Sequence, residues 1–545
     1  MRLRSLLAFS ALASALATFA AAPSPAAACG GFVCSQTPPP DPPPTFTPGT
    51  PVNQSGESVI YAREPDGSLV MTVQIRYEGD TGDFAWILPV PVAPEISVGS
   101  DAAFEALRAF SEPVFRTTTR TEGTCAEVPE CAADRIDCSD RGGDTISLDA
   151  AAAGFPDAGL AADMAGPPVT VYSQGPVGPY ETAVIGSSDA GEVITWLNDA
   201  GFGLPDDAAP PLQEYANEGY IFVALRMATD ASTDLIQPVT LRMATDEVGC
   251  LPLRLTGIAA TNDMPITLYF LGDARVVPSN YSMVQVAFED IPELWTGERR
   301  WSGAVGAEVD TVGGQGFVTE YAGDDPSLDI TLSAIDDLSE VTDIVAFLNQ
   351  IVGRGYDQAT TTIPTLEAHI MAPMGMSVLD YVNCLSRFGS TDGCGGEPEA
   401  FDPAAIVAAL TASEFEPRQA FTEQLGRVSY LTRMSTAMDP DEMTVDPTFE
   451  VDSAMPEVDN VHLAERVTRC SSDYYESQAP IDLVIGDRSH PQRAGVLAST
   501  SDLCRPVPAV CKDDGLCSVS SEHGPLPGLL LLAGLGVVLG RRRRR

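Results

Sequence analysis

The sequence predicts a β-rich α+β protein, with an antiparallel sheet or sandwich that carries a few short helices and is followed by a more helical region. Strand-like alternation dominates residues 51–290, and short capped amphipathic segments interrupt it. Apolar residues make up 44% of the chain, which is ordinary for a globular protein with a sizeable core. A length of 545 residues leaves room for several domains.

The first ordered element is expected to be a β-hairpin that begins at "NQSGESVIYA". Apolar residues alternate with polar ones from Leu69 to Tyr77, and "PDG" at 65–67 supplies turn chemistry before them. The next segment, "DFAWILPVPVAPEI", is predicted to be a buried strand that prolines end. Trp86 in this strand could be a stacking platform for a sugar, but its apolar surroundings favour a core position.

Two short helices are predicted from their capping residues and their apolar faces. In "SDAAFEALRAF", Ser100 is the expected N-cap, and Phe104 shares a face with Leu107. In "DAGEVITWLNDAGF", Asp189 and Glu192 have the spacing of a capping box, and the glycine at 201 ends the helix.

Four successive strands are then predicted, at "GYIFVALRM", "PVTLRMA", "CLPLRLTGIAA" and "ITLYFLGDARVV". The hexapeptide "LRMATD" occurs at 225–230 and again at 241–246, which suggests neighbouring strands with similar edges. Beyond residue 290 the periodicity weakens. The segment "SEVTDIVAFLNQIVGRG" predicts a helix with Ser339 as N-cap and Gly353 as its end, and 402–430 is expected to hold another.

These patterns divide the chain into six parts. They are a signal peptide at 1–28, a cysteine pair with a proline-rich spacer at 29–50, a β-rich domain at 51–290 with an inserted loop at 126–168, a mixed region at 291–500, a cysteine-bearing tether at 501–517 and a C-terminal tail at 518–545.

The N-terminus has the three parts of an export signal. Arg2 and Arg4 charge its start, "LLAFSALASALATFA" is its apolar centre, and "AAPSPAAA" ends in small residues. Cleavage after Ala28 would leave Cys29 as the new N-terminus, where lipidation is an alternative to a structural disulfide. Ala26 stands where a lipoprotein signal normally has a leucine-like residue, which favours the disulfide.

The C-terminus combines a short apolar run with terminal cations. Leu526 to Gly540 is shorter than the ~20 residues that a stable spanning helix needs, and five arginines follow it. This tail resembles the MYXO-CTERM class of sorting signals, in which a cysteine precedes the apolar segment. The resemblance implies that Cys517 is the attachment residue and that the protein is displayed on the cell surface. A plain membrane anchor is the alternative; either way the membrane and the export and sorting machinery are the expected partners.

Twelve cysteines in an exported chain are expected to form disulfides. The candidates are Cys29, Cys34, Cys125, Cys131, Cys138, Cys384, Cys394, Cys470, Cys504 and Cys511. No C-x-x-C spacing occurs, so neither a zinc site nor a redox motif is predicted. If sorting uses Cys517, eleven cysteines remain, and one of them must be free, lipidated or paired with another chain.

The charge balance argues against nucleic acid as a partner, because 76 acidic residues face only 31 basic ones and phosphate binding needs clustered cations. No metal-hydrolase spacing or nucleophile elbow occurs, so no catalytic, cofactor-binding or metal-binding residue is assigned. The acids of "DPDEM", Asp439, Asp441 and Glu442, could supply oxygens to an irregular calcium site, but a solvated acidic loop is the simpler interpretation.

Several blocks in a fixed order resemble one bacterial family. They include "ACGGFVC", "NQSGESVIYA", "RYEGDTGDFAWILPVPVAPEISVGSD", "PYETAVIGSSDAGEVITWLNDAGFGLPDD" and "CLPLRLTGIAATNDMPITLYFLGDARVVP". This order is similar to the family called domain of unknown function 2330, from about Cys29 to Pro278 or further. The resemblance implies an exported, often surface-associated bacterial protein. It implies no activity, cofactor or catalytic residue.

Two functional hypotheses follow. The first is a non-catalytic envelope protein, exported, anchored at the cell surface and serving a structural, adhesive or binding role towards a protein or surface polysaccharide that the sequence does not identify. The second is an exported hydrolase that uses two carboxylates, since such a pair needs only the right distance in space. The absence of a recognisable catalytic motif favours the first hypothesis.

Overall fold

The computed structural model describes residues 34–35, 53–78, 85–122, 169–204, 208–228, 236–245, 248–249, 251–297, 299–373, 375–469, 481–486, 493–495, 509–511 and 517–519. Its strands in chain order are β1 (Cys34–Ser35), β2 (Asn53–Arg63), β3 (Leu69–Glu78), β4 (Ala85–Val90), β5 (Glu95–Val98), β6 (Val114–Glu122), β7 (Thr170–Val177), β8 (Tyr180–Gly186), β9 (Phe202–Gly203), β10 (Ile221–Met227), β11 (Val239–Met243), β12 (Met264–Gly272), β13 (Val276–Pro278), β14 (Ser282–Val284), β15 (Gly316–Asp324), β16 (Ile370–Met371), β17 (Ala400–Phe401), β18 (Tyr430–Met438), β19 (Phe449–Val451), β20 (Val461–Arg469), β21 (Ile481–Gly486), β22 (Arg493–Gly495), β23 (Ala509–Cys511) and β24 (Cys517–Val519).

The α-helices are short. They are α1 (Asp101–Ser111), α2 (Ala190–Asp199), α3 (Ala209–Glu218), α4 (Leu253–Thr256), α5 (Pro292–Thr296), α6 (Trp301–Asp310), α7 (Ile344–Gly353), α8 (Thr362–His369), α9 (Val378–Phe388), α10 (Pro403–Leu410) and α11 (Glu416–Leu425). A π-helical turn, Thr411–Phe415, joins α10 to α11.

Contacts divide the chain into two compact units. The first comprises residues 1–114, 157–286 and 297–460, and the second comprises 115–156, 287–296 and 461–545. The predicted domain boundaries follow the sequence patterns and remain predictions.

The first unit contains two main sheets. One has eight strands in the order β14-β15-β18-β12-β2-β3-β11-β5, and the other has four in the order β4-β10-β8-β7. Their strand pairs are antiparallel except for β2 with β12 and β14 with β15. Two strands that follow residue 290, β15 and β18, therefore lie in the same sheet as the first hairpin.

The two sheets form a sandwich. Its core takes Tyr61 and Phe270 from the eight-stranded sheet, and Trp86 and Val223 from the four-stranded sheet. Trp86 is only 3% exposed, as expected for a core residue rather than a stacking platform. Apolar side chains alternate along each strand, so one face of each sheet points into this shared core.

Helices cover the outer face of each sheet. On the four-stranded sheet, α2 and α3 bury Leu197 and Leu212 against residues such as Phe222. On the eight-stranded sheet, α1 and α11 bury Leu107 and Phe421. The predicted β-rich α+β architecture, with an antiparallel sandwich and packed helices, is confirmed.

A third core lies among α7, α8, α9 and α10, where Phe347, Leu366, Tyr381 and Ile406 are buried. This is the more helical region that the sequence predicts after the sandwich. Because these helices bury their apolar faces mainly against one another, the region has a core of its own.

Two predictions about strands are wrong. The segment predicted as the strand "CLPLRLTGIAA" contains the single helical turn α4, with Leu253 and Leu255 buried. An apolar run this short has no decisive period, and Pro252 stands at the helix N-cap. The two "LRMATD" copies are not on neighbouring strands either, since β10 lies in the four-stranded sheet and β11 in the eight-stranded one.

The second unit contains the sheet β22-β21-β20-β6 and the hairpin β23–β24. An aromatic cluster packs within this unit: His462 lies 4.2 Å from the Phe288 ring and 4.9 Å from the Phe115 ring, between centroids, and Trp295 meets Phe115 edge-on. The indole N–H of Trp295 donates to the Phe288 carbonyl, so the cluster is a packed core with its polar atom satisfied.

Candidate functional site

A cavity of about 190 Å³ lies on the outer face of the eight-stranded sheet, beneath helix α1. Strands β2, β3 and β12 form its floor, with Ser58, Gln74, Ile75, Arg76 and Tyr269. Helix α1 forms its roof, with Asp101, Phe104, Glu105 and Arg108. Ile236, Gln237 and Pro238 form one side. The pairing of the strands brings these floor residues together. Ser58 on β2 is paired with Gln74 on β3, and Ile60, two residues further along β2, is paired with Tyr269 on β12. The alternation therefore places Ser58, Gln74 and Tyr269 on the outer face with the cavity, whereas Ile75 packs against the inner core of the sandwich.

Asp101, the first residue of α1, anchors the roof to the floor. Its two carboxylate oxygens accept hydrogen bonds from Gln74 Nε2 at 2.6 Å and from Thr360 Oγ1 at 3.3 Å. Burial raises the pKa of Asp101, these two hydrogen bonds lower it, and the nearby negative charges of Glu414 and Glu105 raise it further. Both oxygens are thus already used to hold α1 in place.

The π-helical turn braces one side of the cavity. Gln237 Nε2 donates to the Ser413 carbonyl at 2.8 Å. Next to it, the buried Glu414 accepts from the backbone N–H of Thr361 at 3.0 Å and from Arg418 Nη2 at 2.9 Å. An extra residue per turn is what places Glu414 and Ser413 here, and such turns frequently occur at functional sites.

Tyr269 on β12 lines the cavity. Its side chain is 2% exposed, and burial raises the pKa of its phenol to about 12. The guanidinium carbon of Arg433 lies 5.5 Å from the centre of its ring. The Tyr269 hydroxyl has no hydrogen-bond partner among the residues that the structure describes, and it opens into the cavity.

Behind Tyr269 lies a buried ion pair. Arg433 Nε is 2.5 Å from Glu320 Oε2, with side chains 6% and 1% exposed. Within the described residues neither of these two atoms has a well-aligned hydrogen bond, so the attraction is that of an ion pair. The other Glu320 oxygen accepts from Trp301 Nε1 and Ser435 Oγ. The pair fixes Arg433 over the Tyr269 ring.

Two exposed arginines, Arg76 and Arg108, border the cavity. Neither guanidinium has a carboxylate within 4 Å in the part of the chain that the structure describes. Both arginines are therefore available to a ligand.

The donors and acceptors of the cavity are unequally used. Asp101 already accepts two hydrogen bonds, whereas Arg76, Arg108 and the Tyr269 hydroxyl keep their donors for a ligand. Such a set can recognise an oxygen-rich acceptor. Glu105 also lines the cavity and has no hydrogen-bond partner among the described residues, so one carboxylate there is free while Asp101 is held.

Of the predicted disulfide cysteines, Cys384 and Cys394 are joined by a disulfide that ties α9 to the following turn, with Cα atoms 5.7 Å apart. The pair belongs to the third core and does not line the cavity. Cys34 lies in β1, opposite the glycine at 203. Cys29, Cys125, Cys131, Cys138, Cys470 and Cys504 lie outside the described residues.

The backbone register places Cys511 opposite Cys517 in the hairpin β23–β24. Residues directly opposite in an antiparallel pair have Cα atoms ~4.5–5.5 Å apart, a separation that a disulfide can span. Pairing with Cys511 is thus an alternative to the predicted role of Cys517 as the attachment residue, and that role remains a prediction.

The acids of "DPDEM" organise a turn. Asp439 Oδ1 accepts from the backbone N–H of Asp263 at 2.8 Å, and Glu442 Oε2 accepts from the backbone N–H of Asp439 at 2.8 Å. Together they form a capping box around the 3₁₀ turn Pro440–Glu442. Among the described residues, no group of three His, Cys, Asp or Glu side chains is placed to hold a metal ion.

Sequence reasoning did not identify the cavity residues. Arg76 and Tyr269 lie on strands that are far apart in sequence, and the parallel pairing of β2 with β12 joins them in one sheet. One signal was present: basic residues are far fewer than acidic ones, and Arg76 lies near the end of the alternating strand on its solvent-facing register. That signal shows a cation on a face, but not what lies opposite it.

Comparison with known proteins identifies a family. The model of a family described as an uncharacterised protein conserved in bacteria (DUF2330) matches residues 23–450. No curated protein and no solved structure matches the chain. Among the described residues, no helix is both long and apolar enough to cross a membrane.

Proposed function

The chain belongs to the bacterial family DUF2330, and from that premise we propose that it is an exported, surface-anchored envelope protein that acts by binding rather than by catalysis. Export rests on the N-terminal signal, and anchoring rests on the apolar tail with its terminal arginines. The Cys384–Cys394 disulfide supports maturation in an oxidising compartment.

One observation carries the binding role. In the cavity beneath α1, the carboxylate of Asp101 is held by Gln74 and Thr360, while the hydroxyl of Tyr269 has no hydrogen-bond partner among the described residues. A site built to recognise a ligand keeps donors free in a fixed geometry. The bracing of the cavity by α1 and the π-helical turn supplies that rigidity.

Fractionation of the native host tests the location. We expect the full chain in the envelope fraction, cleaved by protease added to intact cells, and we expect a variant lacking residues 518–545 to appear in the medium. A matched variant with five alanines in place of Arg541–Arg545 separates the role of the charges from that of the apolar run. Protein found only in the cytosol would overturn the proposal.

A hydrolase that uses two carboxylates is the second candidate. The observation that favours it is that Glu105 lines the same cavity as Asp101, whose pKa burial raises. Chromogenic esters and glycosides would be incubated with the full chain and with Asp101→Asn and Glu105→Gln. Turnover that both substitutions abolish would support the hydrolase, whereas turnover unchanged by either would exclude this pair.

A further inference from the structure

The cavity beneath α1 combines three donor side chains that the fold leaves without acceptors. Tyr269 is 2% exposed, and its hydroxyl has no hydrogen-bond partner among the described residues. Arg76 and Arg108 line the same space without a carboxylate within 4 Å in the described part of the chain. The Tyr269 hydroxyl opens into the cavity, where a bound ligand can accept its hydrogen bond in place of water.

The surroundings of Tyr269 favour an anion as that acceptor. Burial raises the pKa of its phenol to about 12; the positive charges of Arg433, which lies over its ring, and of Arg108 act to lower this pKa, and the negative charges of Glu320 and Glu112 act to raise it. A negatively charged oxygen placed at the hydroxyl would therefore meet one hydrogen-bond donor and the cation of Arg108, while the charge of Arg433 is offset by its ion pair with Glu320. Hydrogen bonds to a charged acceptor are about twice as strong as neutral ones.

The size and charge of the cavity select among anions. A volume of about 190 Å³ is below the ~300–1,000 Å³ of sites for drug-sized ligands, so the ligand is small. Asp101 and Glu105 line the same space and would repel a second negative charge, which disfavours phosphate at neutral pH. Phe104 and Pro238 offer apolar surface to a short carbon chain.

We propose that this cavity binds a small monocarboxylate, or the carboxylate end of a larger ligand, with one oxygen accepting from the Tyr269 hydroxyl and the other paired with Arg108 and Arg76. The planar guanidinium fork matches a carboxylate, and the short apolar body lies against Phe104. This inference deepens the proposed binding function and depends on it.

Calorimetric titration of the full chain tests the ligand class. Acetate, propanoate and lactate would be compared with propanamide, the neutral analogue of propanoate, and with inorganic phosphate, all at equal ionic strength. We expect saturable binding of at least one carboxylate below roughly 10 mM. Propanamide and phosphate should each bind at least about tenfold more weakly than that carboxylate.

Substitutions locate the site. Arg108→Gln and Arg76→Gln should each weaken carboxylate binding about tenfold, and Tyr269→Phe should weaken it severalfold. Arg300→Gln is the matched control, because Arg300 is an exposed arginine outside the cavity and the substitution removes the same charge. Circular dichroism of each variant checks that it is folded.

Three results would overturn the inference. They are no saturable carboxylate binding below roughly 10 mM, equal or tighter binding of propanamide or phosphate, and affinities of the two cavity arginine variants that match that of Arg300→Gln. None of these outcomes bears on export, since fractionation of cells tests location without any ligand. A failure of the carboxylate is thus distinguishable from a failure of the envelope assignment.

Discussion

Glu57 is a carboxyl group inside the apolar core of the sandwich. Its side chain is 5% exposed, and burial raises its pKa to about 7, although a 2.8 Å hydrogen bond from Gln54 Nε2 acts in the opposite direction. The amide oxygen of Gln54 has no hydrogen-bond partner among the described residues. A protonated Glu57 could donate to that oxygen, whereas a carboxylate cannot, so the geometry favours the neutral acid.

Replacing Glu57 by glutamine should stabilise the protein above neutral pH. The folded pKa is about 7 against an ordinary value of 4.5, so the folded state holds the proton more tightly, and stability falls as pH rises between these values. Relative to wild type, Glu57→Gln should gain on the order of 3 kcal/mol at pH 8 and little at pH 4. Urea unfolding at both pH values measures this.

Glu367→Gln is the control for this comparison, because Glu367 is exposed on α8 and the substitution removes the same charge. Its effect on stability at pH 8 should be clearly smaller than that of Glu57→Gln. A Glu57→Gln variant with the same slope as wild type would contradict the buried titration.

The buried ion pair of Glu320 with Arg433 should be costly to break. Arg433→Met leaves the Glu320 carboxylate buried without its cation, and the free energy of unfolding should fall by about 3 kcal/mol. Adding Glu320→Gln removes the stranded charge and should recover part of that loss. Arg354→Met, which breaks the exposed pair with Asp337, should change little, because solvent screens that pair. Equal effects of Arg433→Met and Arg354→Met in urea would contradict this ranking.

At the level of elements, helix α7 begins later than its sequence suggests. Ser339 is the predicted N-cap, but it ends a 3₁₀ turn, and its hydroxyl donates to the Asp336 carbonyl. The observed N-cap is Asp343, whose carboxylate accepts from the backbone N–H of Ala346 at 3.0 Å. Both residues are good caps by type, and the 3₁₀ turn decides between them.

Asp343→Ala should therefore destabilise the protein by about 1 kcal/mol, since it removes the cap of a helix in the third core. Ser339→Ala is the matched control and should have a clearly smaller effect, because its hydroxyl caps no helix N–H. Thermal unfolding of the two variants measures the difference. A larger loss for Ser339→Ala would place the start of the helix where the sequence suggests.

Strands and helices with a long, clear hydrophobic periodicity could be predicted from the sequence, and short apolar segments could not. The hairpin β2–β3 was predictable because alternation runs through the whole of β3 and the "PDG" turn fixes its partner. Helix α2 was predictable from Asp189 at its start and the glycine at 201, whose φ is +87°. Within that helix, Glu192 accepts from Ser187 rather than completing the expected capping box.

The cavity could not be predicted because its parts depend on long-range pairing. Asp101 meets Thr360 only because the helical region packs beside α1, and Gln237 meets Ser413 only through the π-helical turn. An inserted residue within a helix leaves no periodic signal in one sequence. The predicted caps and strand faces say which way each side chain points, but not which distant segment covers it.

At the scale of the whole molecule, the acidic excess opposes folding. A net charge of −45 concentrates negative charge in the folded protein, and this self-repulsion lowers stability until salt screens it. The repulsion also weakens as pH falls towards the isoelectric point near 4.1. Both this effect and the titration of Glu57 therefore predict greater stability at mildly acidic pH than at pH 8.

Salt separates the two contributions. Raising NaCl from about 0.01 M to about 0.1 M shortens the Debye length from about 30 Å to about 10 Å, so at pH 8 the melting temperature should rise as surface repulsion is screened. The contribution of Glu57 arises from burial in the apolar core, which salt ions do not enter, so the difference in stability between Glu57→Gln and wild type should be the same at both salt concentrations.

Sucrose at equal osmolality is the control for non-ionic effects of the solute. A melting temperature that falls with salt would mean that the loss of attraction in exposed ion pairs outweighs the screened repulsion. A salt-dependent effect of Glu57→Gln would mean that this carboxyl is reached by solvent.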